Sequence, residues 1–198
     1  MKNGKLIIIS GFPGAGKSHI KEYLVNNIKS IKPAQILTTK TQYENQELDQ
    51  NIEVVTKEQF TQEFMAGKLC GVSMNDDECL ALKTEQIEQL EDGISFVADV
   101  PNDCTEGIQE ELGDNVISIY ILPKDKQRAR KELELRFPDP KELRQKLNEI
   151  KDEILYYKNN GDIFKLIIKN DYTEKTCEKI KKMIEEKIQN RKKTELDR

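Results

Sequence analysis

Leu6-Ile7-Ile8-Ile9-Ser10-Gly11-Phe12-Pro13-Gly14-Ala15-Gly16-Lys17-Ser18 is the stretch that decides the fold. Its first four residues form an apolar, β-branched run, the pattern of a strand covered on both faces in a parallel sheet. Gly11, Gly14, Gly16, Lys17 and Ser18 then satisfy G-x-x-x-x-G-K-[ST] between that strand and a helical periodicity, the context in which the motif carries a mechanism. A triphosphate must be surrounded at short range by backbone N–H groups, and glycine keeps side chains out of their way. A helix starting near Lys17 aims its positive dipole end and its unpaired N–H groups at the phosphates. Lys17 can reach the β- and γ-phosphates, and the Ser18 hydroxyl can ligate Mg²⁺. The loop Gly11, Phe12, Pro13, Gly14, Ala15, Gly16, Lys17 and Ser18 is therefore a candidate nucleotide site. ATPases, GTPases and small-molecule kinases share such a loop, so the reaction stays open at this point.

Downstream of the loop, Ile20, Leu24, Ile28 and Ile31 recur at helical spacing and predict a helix over about 17–30, ended by Pro33. Ile36-Leu37 followed by Thr38-Thr39-Lys40 reads as a small edge strand running into a loop. Residues 52–55 read as another strand, Thr56-x-x-Gln59 as a capping box opening a helix, and Gly67 as the residue past its C-cap. A strand over 69–74, an acidic turn at Asn75-Asp76-Asp77-Glu78 and a short helix over 84–90, stopped at Gly93, complete the first excursion.

Residues 94–100 form the second core strand, with Asp99 at its carboxyl end. In an open parallel sheet ligands bind beyond that end, so Asp99 can hold Mg²⁺; the competing reading is a turn former before Pro101. Residues 116–122 give a third strand. A basic helix over 125–136 follows, with Arg128, Arg130 and Arg136, then the breaker Phe137-Pro138-Asp139-Pro140 and a longer helix carrying Leu143, Leu147, Ile150 and Ile154. Asn159-Asn160-Gly161-Asp162 is a turn, 164–168 a fourth core strand, and Cys177, Ile180, Ile184 and Ile188 mark a closing helix. Strands alternating with helices over 198 residues give one α/β domain with helices on both faces of a parallel sheet.

A net charge of -4 argues against a general nucleic-acid binder. Cys70, Cys79, Cys104 and Cys177 show no C-x-x-C spacing, and His19 is the single histidine, so zinc is not expected. No run resembles a signal peptide or reaches membrane length, which predicts a cytoplasmic protein with reduced thiols and no membrane partner.

The chain resembles the guanylate kinase family over nearly its full length. Besides the phosphate loop, Thr38-Thr39-Lys40 resembles that family's T-T-R, and Val55-Thr56-Lys57-Glu58-Gln59-Phe60 its V-S-K-E-E-F. Phe96-Val97-Ala98-Asp99-Val100 is similar to its L-L-D-I strand, Ile119-Tyr120-Ile121-Leu122-Pro123 to I-F-I-L-P, and Ile168-Lys169-Asn170-Asp171 to V-V-N-D. The resemblance implies a three-layer P-loop kinase with a central parallel sheet, a small monophosphate-binding flap and a helical lid. It implies one domain over 1–190, with core segments 1–35, 85–124 and 159–190, an acceptor flap at 36–84, a lid at 125–158 and a polar tail at 191–198. The implied reaction moves the γ-phosphate of MgATP to GMP, with ATP and a small monophosphate as partners and a monomer or homodimer as the assembly.

Carried over by position, Lys17 and Arg136 are catalytic, Ser18 and Asp99 hold Mg²⁺, and Asn170 lies against adenine. Thr39, Lys40, Tyr43, Lys146 and Lys151 bind the acceptor. Several of the family's guanine- and phosphate-reading places hold other residue types here: Ile36, Lys40, Tyr43, Ile52, Gly71 and Pro101. Lysine substitutes for arginine as a point charge and not as a bidentate fork. A kinase of another phosphorylated small molecule and an inactive interaction module are the alternatives.

Overall fold

The computed structural model describes residues 4–40, 51–74 and 78–189. The predicted tail and Asn75, Asp76 and Asp77 of the acidic turn lie outside them, as does Tyr43. Strand β1 (Leu6–Gly11) is buried along its whole length and lies at the centre of a five-stranded sheet. Its neighbours are β7 (Ser95–Asp99) and β8 (Val116–Pro123), both parallel to it, with β2 (Ile31–Pro33) and β9 (Leu166–Asn170) outside them, giving the order β2-β7-β1-β8-β9. Because side chains alternate across a strand, β1 feeds two cores. Ile7 and Ile9 meet Ile20 and Leu24 of α1 (Lys17–Asn27) and Ile180 and Ile184 of α7 (Glu174–Gln189). Leu6 and Ile8 meet Cys104 and Ile108 of α4 (Asn102–Leu112) on the other face.

Helix α1 is shorter than its apolar stripe suggested. At Ile28 the backbone turns extended (φ -127, ψ 103), and Ile31 belongs to β2, paired with Ser95. The strand delivers Ile31 to the core that the helix would have reached, so apolar periodicity could not separate the two. Helix α4 has no counterpart in the sequence reading, because Pro101-Asn102-Asp103 looks like a turn and only Cys104, Ile108 and Leu112 mark its apolar face among acids.

The first excursion builds a second sheet in the order β4-β3-β6-β5, from β3 (Ile36–Thr38), β4 (Ile52–Val54), β5 (Leu69–Met74) and β6 (Cys79–Lys83). Strand β3 is interior, parallel to β4 and antiparallel to β6, and not the edge its polar flank indicated. Helix α2 (Lys57–Met65) covers one face through Phe60, packed on Leu37, Leu69 and Ala81. Its start is the expected reciprocal cap, with Gln59 N–H donating to Thr56 Oγ1 and Thr56 N–H to Gln59 Oε1. The short α3 (Glu85–Glu88) returns the chain to the core.

The second excursion is a helical pair. Helix α5 (Lys126–Arg136) is capped by Asp125, and α6 (Pro140–Asn160) by Asp139 with Pro140 in its first turn, the position proline tolerates best. Helix α6 is anchored at its far end, where Tyr157 stacks on Tyr120 of β8 with ring centres 4.6 Å apart. Among the described residues no helix is long and apolar enough to cross a membrane.

Candidate nucleotide-binding site

The loop between β1 and α1 is held by main-chain fit on three sides. Gly11 has φ +128, and a Cβ there would fall 2.3 Å from the Ile121 carbonyl oxygen; at Gly14 it would fall 2.8 Å from that of Ala129. At Gly16 (φ +84) it would fall 2.7 Å from Asn170 Nδ2. The glycines thus fit the loop against β8, α5 and the end of β9 as well as clearing its inner face. Phe12 N–H donates to Ile121 O and Ala15 N–H to Phe12 O, closing the turn. Ala15 is fully buried, while Pro13 faces the cleft.

Asn170, which Gly16 packs against, also bonds the loop directly. It is 1% exposed, and its Nδ2 donates to the Ala15 carbonyl at 2.8 Å while its Oδ1 accepts from Tyr172 N–H at 2.9 Å. The residue expected against adenine braces the loop. Tyr172, which sequence reasoning passed over, joins it: at φ +61 it directs its hydroxyl to the Gly14 carbonyl at 2.9 Å. Arg128 lies 4.3 Å above the Tyr172 ring, whereas Arg130 pairs with Glu134 on the exposed face of α5.

Lys17 Nζ donates to the carbonyls of Gly11 (2.9 Å) and Phe12 (3.3 Å), so the ammonium rests in the mouth of the loop. From there a cleft of about 830 Å³ runs to the small sheet. Its donor end is lined by Gly11, Pro13, Lys17, Ser18 and Asp99; its far end by Ile36, Lys40, Asn51, Ile52, Glu78, Leu80 and Pro101; Lys146 and Glu153 of α6 also line it. Burial raises the Asp99 carboxyl above the ordinary aspartate value, against the lowering pull of Lys17, Lys21 and Arg136. Arg136 itself is exposed in the last turn of α5, near enough for its charge to bear on Asp99.

On the acceptor side, Thr39 Oγ1 accepts from Cys79 N–H, tying β3 to β6, and Thr38 Oγ1 donates to Glu78. Lys40 faces Glu78 across 3.4 Å. Lys146 lines the cleft, 3.1 Å from Glu149 and over the Phe137 ring. Lys151 is exposed, donates to Asn148 and does not line the cleft, so its place on α6 differs from the acceptor contact expected of it. Gly71 lies away from the cleft at φ +56, where a Cβ would come within 2.2 Å of Ile108 Cγ1; a side chain at that position has no room.

Two further groups lining the cleft were not singled out from the sequence. Glu153 stands two turns after Lys146 on α6, accepts from Asn102 Nδ2 and from Tyr120 Oη, and has its carboxyl raised by burial. Lys21 stands one turn after Lys17 on α1 and lines the cleft with Glu22 and Val25.

Comparison with known proteins agrees with this geometry. The guanylate kinase family model matches residues 3–187. A guanylate kinase of Wolbachia sp. subsp. Brugia malayi is 25% identical over 184 residues, covering 92% of each chain, and that of Malacoplasma penetrans is 24% identical over 191 residues, covering 94% of this chain and 95% of its own. The solved guanylate kinase of Anaplasma phagocytophilum superposes with a TM-score of 0.71 at 16% identity, covering 93% of this chain and 86% of that one, which shows the shared fold. A phosphate loop flanked by a small flap sheet and a helical lid, matched by the family model along nearly the whole chain, places this protein in the guanylate kinase family, a family of nucleoside monophosphate kinases.

Proposed function

We propose that the protein transfers the γ-phosphate of ATP to a nucleoside monophosphate, with GMP, the acceptor that its relatives' name implies, as the first candidate. The observation that carries this reading is the single cleft joining the Lys17 loop to the flap sheet. Phosphoryl transfer asks little covalent chemistry of a protein; it asks that two phosphates be aligned and their charge shared. The loop amides and Lys17 hold the donor phosphates, Arg136 at the end of α5 is placed to add charge when the lid approaches, and the lid helices exclude water.

The residues present fit Mg²⁺. A hydroxyl and a carboxylate, Ser18 and Asp99, both line the cleft, and Mg²⁺ at such sites takes one or two protein ligands beside phosphate oxygens. Ser18 and Asp99 would hold it, and it would supply charge neutralisation between the phosphates.

A specific observation favours a second acceptor. Among the described lining residues Ile36, Ile52, Leu80 and Pro101 present carbon at the flap end beside Lys40, Asn51 and Glu78, and the Gly71 position is sealed by Ile108. Polar readout discriminates bases by powers of ten, and an apolar wall does not. An ADP-release assay over a panel of monophosphates tests both readings: turnover with GMP supports the first, turnover with a different monophosphate alone the second, and ATP binding without any turnover refutes both.

A further inference from the structure

Of the acceptor-binding lysines expected from position, two line the cleft beside a carboxylate and the third lies outside it. Lys40 faces Glu78 at 3.4 Å, Lys146 faces Glu149 at 3.1 Å, and Lys151 stands outside the cleft. A doubly charged phosphate held in line with the γ-phosphate needs a cation between the loop and the flap. Helix α1 supplies one at the right height. Residues four apart share a helix face and are separated by about one turn, roughly 5.4 Å along the axis. Lys17 sits at the loop mouth, so Lys21 lies one turn further along the same helix wall, and it lines the cleft with Ser18, Glu22 and Val25. It is half-buried, and its charge acts on Asp99 at the carboxyl end of β7, opposite that wall.

We propose that Lys21 is a specificity-determining residue that binds the phosphate of the acceptor, and that the acceptor is a phosphomonoester whose body rests on the apolar wall of Ile36, Ile52, Leu80 and Pro101. This rests on the kinase reading above. Lysine contributes a point charge without a fixed fork, so it fixes where the phosphate sits and leaves its orientation to Lys40 and Lys146. The rest of the acceptor then meets carbon on β3, β4 and β6, with Glu78 as the carboxylate in reach of a donor on its ring.

The test is steady-state kinetics of Lys21→Met and Lys21→Arg beside the unaltered protein, using whichever panel monophosphate it turns over best. Loss of one charge-assisted contact should raise the acceptor KM about 10- to 100-fold while the KM for ATP and the melting temperature stay where they were. Lys21→Arg, which keeps charge and helix, should recover most of that loss. A Lys21→Met enzyme whose acceptor KM is unchanged overturns the assignment. So does one whose ATP KM or Mg²⁺ requirement shifts instead, since Lys21 would then serve to balance Asp99. Unaltered protein that turns over no monophosphate refutes the kinase reading itself and takes this role with it, an outcome distinct from failure of the Lys21 variants alone.

Discussion

Replacing Asn170 by alanine separates a brace from a base contact. The amide makes two bonds inside the protein, one to the carbonyl of fully buried Ala15 and one from the N–H of half-buried Tyr172. Removing it strands the Ala15 oxygen where water does not reach, at a cost of about 1–3 kcal/mol. The Tyr172 amide can partly rehydrate, so its loss is nearer about 1 kcal/mol. Together the ligand-free protein should lose about 2–4 kcal/mol, a fall in melting temperature of roughly 4–16 °C for a chain of this size. Urea unfolding without nucleotide measures the first number, and titration calorimetry with ATP and Mg²⁺ measures the consequence, a weaker affinity from a loop that must be ordered at binding. An Asn170 acting only on adenine would leave the ligand-free protein as stable as before. Unchanged unfolding together with weakened ATP binding would therefore refute the bracing role.

Lys17→Met should lower kcat about 10²- to 10³-fold, by analogy with loss of one preorganised charge contact, and leave the circular dichroism spectrum intact; an unchanged single-turnover rate would remove Lys17 from the chemistry. Asp99→Asn should be more stable than the parent at neutral pH and nearly inactive. The folded carboxyl titrates above its ordinary value, so it destabilises the fold when ionised, and the gain on substitution should shrink as pH falls through the raised pKa toward the ordinary aspartate range; denaturant melts at several pH values show the trend or its absence. Gly11→Ala combines φ +128 with a Cβ 2.3 Å from Ile121 O and should cost more than about 2 kcal/mol, read as a fall in melting temperature; a neutral result would mean that β8 moves aside freely.

Strands β1, β7, β8 and β9 were legible from runs dominated by apolar residues, though β9 lies two residues later than its predicted span and Ile31 of β2 falls within the stripe that predicted α1, and the loop was legible because its glycines are spaced by phosphate geometry. What escaped is instructive physically. Strand β6 begins with Cys79-Leu80-Ala81 directly after the acidic sequence Asp76-Asp77-Glu78, too short a run to oppose its flank, and takes its pairing from β3 and β5. Helix α4 takes its stability from packing Cys104 and Ile108 under β1 and β5, reported in the sequence only by the thin stripe Cys104, Ile108 and Leu112 among acids. The roles of Asn170 and Tyr172 depend on a contact across more than 150 residues to the loop, so the motif that flags Asn170 could not say which of its neighbours the amide would reach.

The two halves of the cleft are specified by different kinds of atoms, and this decides how each tolerates substitution. The donor half is built from backbone amides and carbonyls whose geometry depends on glycines without room for a side chain, so most changes there break the fold before they change the ligand. The acceptor half is built from side chains projecting from β3, β4 and β6, each replaceable without disturbing the strand that carries it. Gly71 is the exception that couples the two concerns: with Ile108 filling the space its side chain would need, restoring a carboxylate there would require repacking α4 against β5. Substituting Ile36 or Ile52 alone should therefore retune the acceptor without restoring a carboxylate at the Gly71 position, which the core excludes.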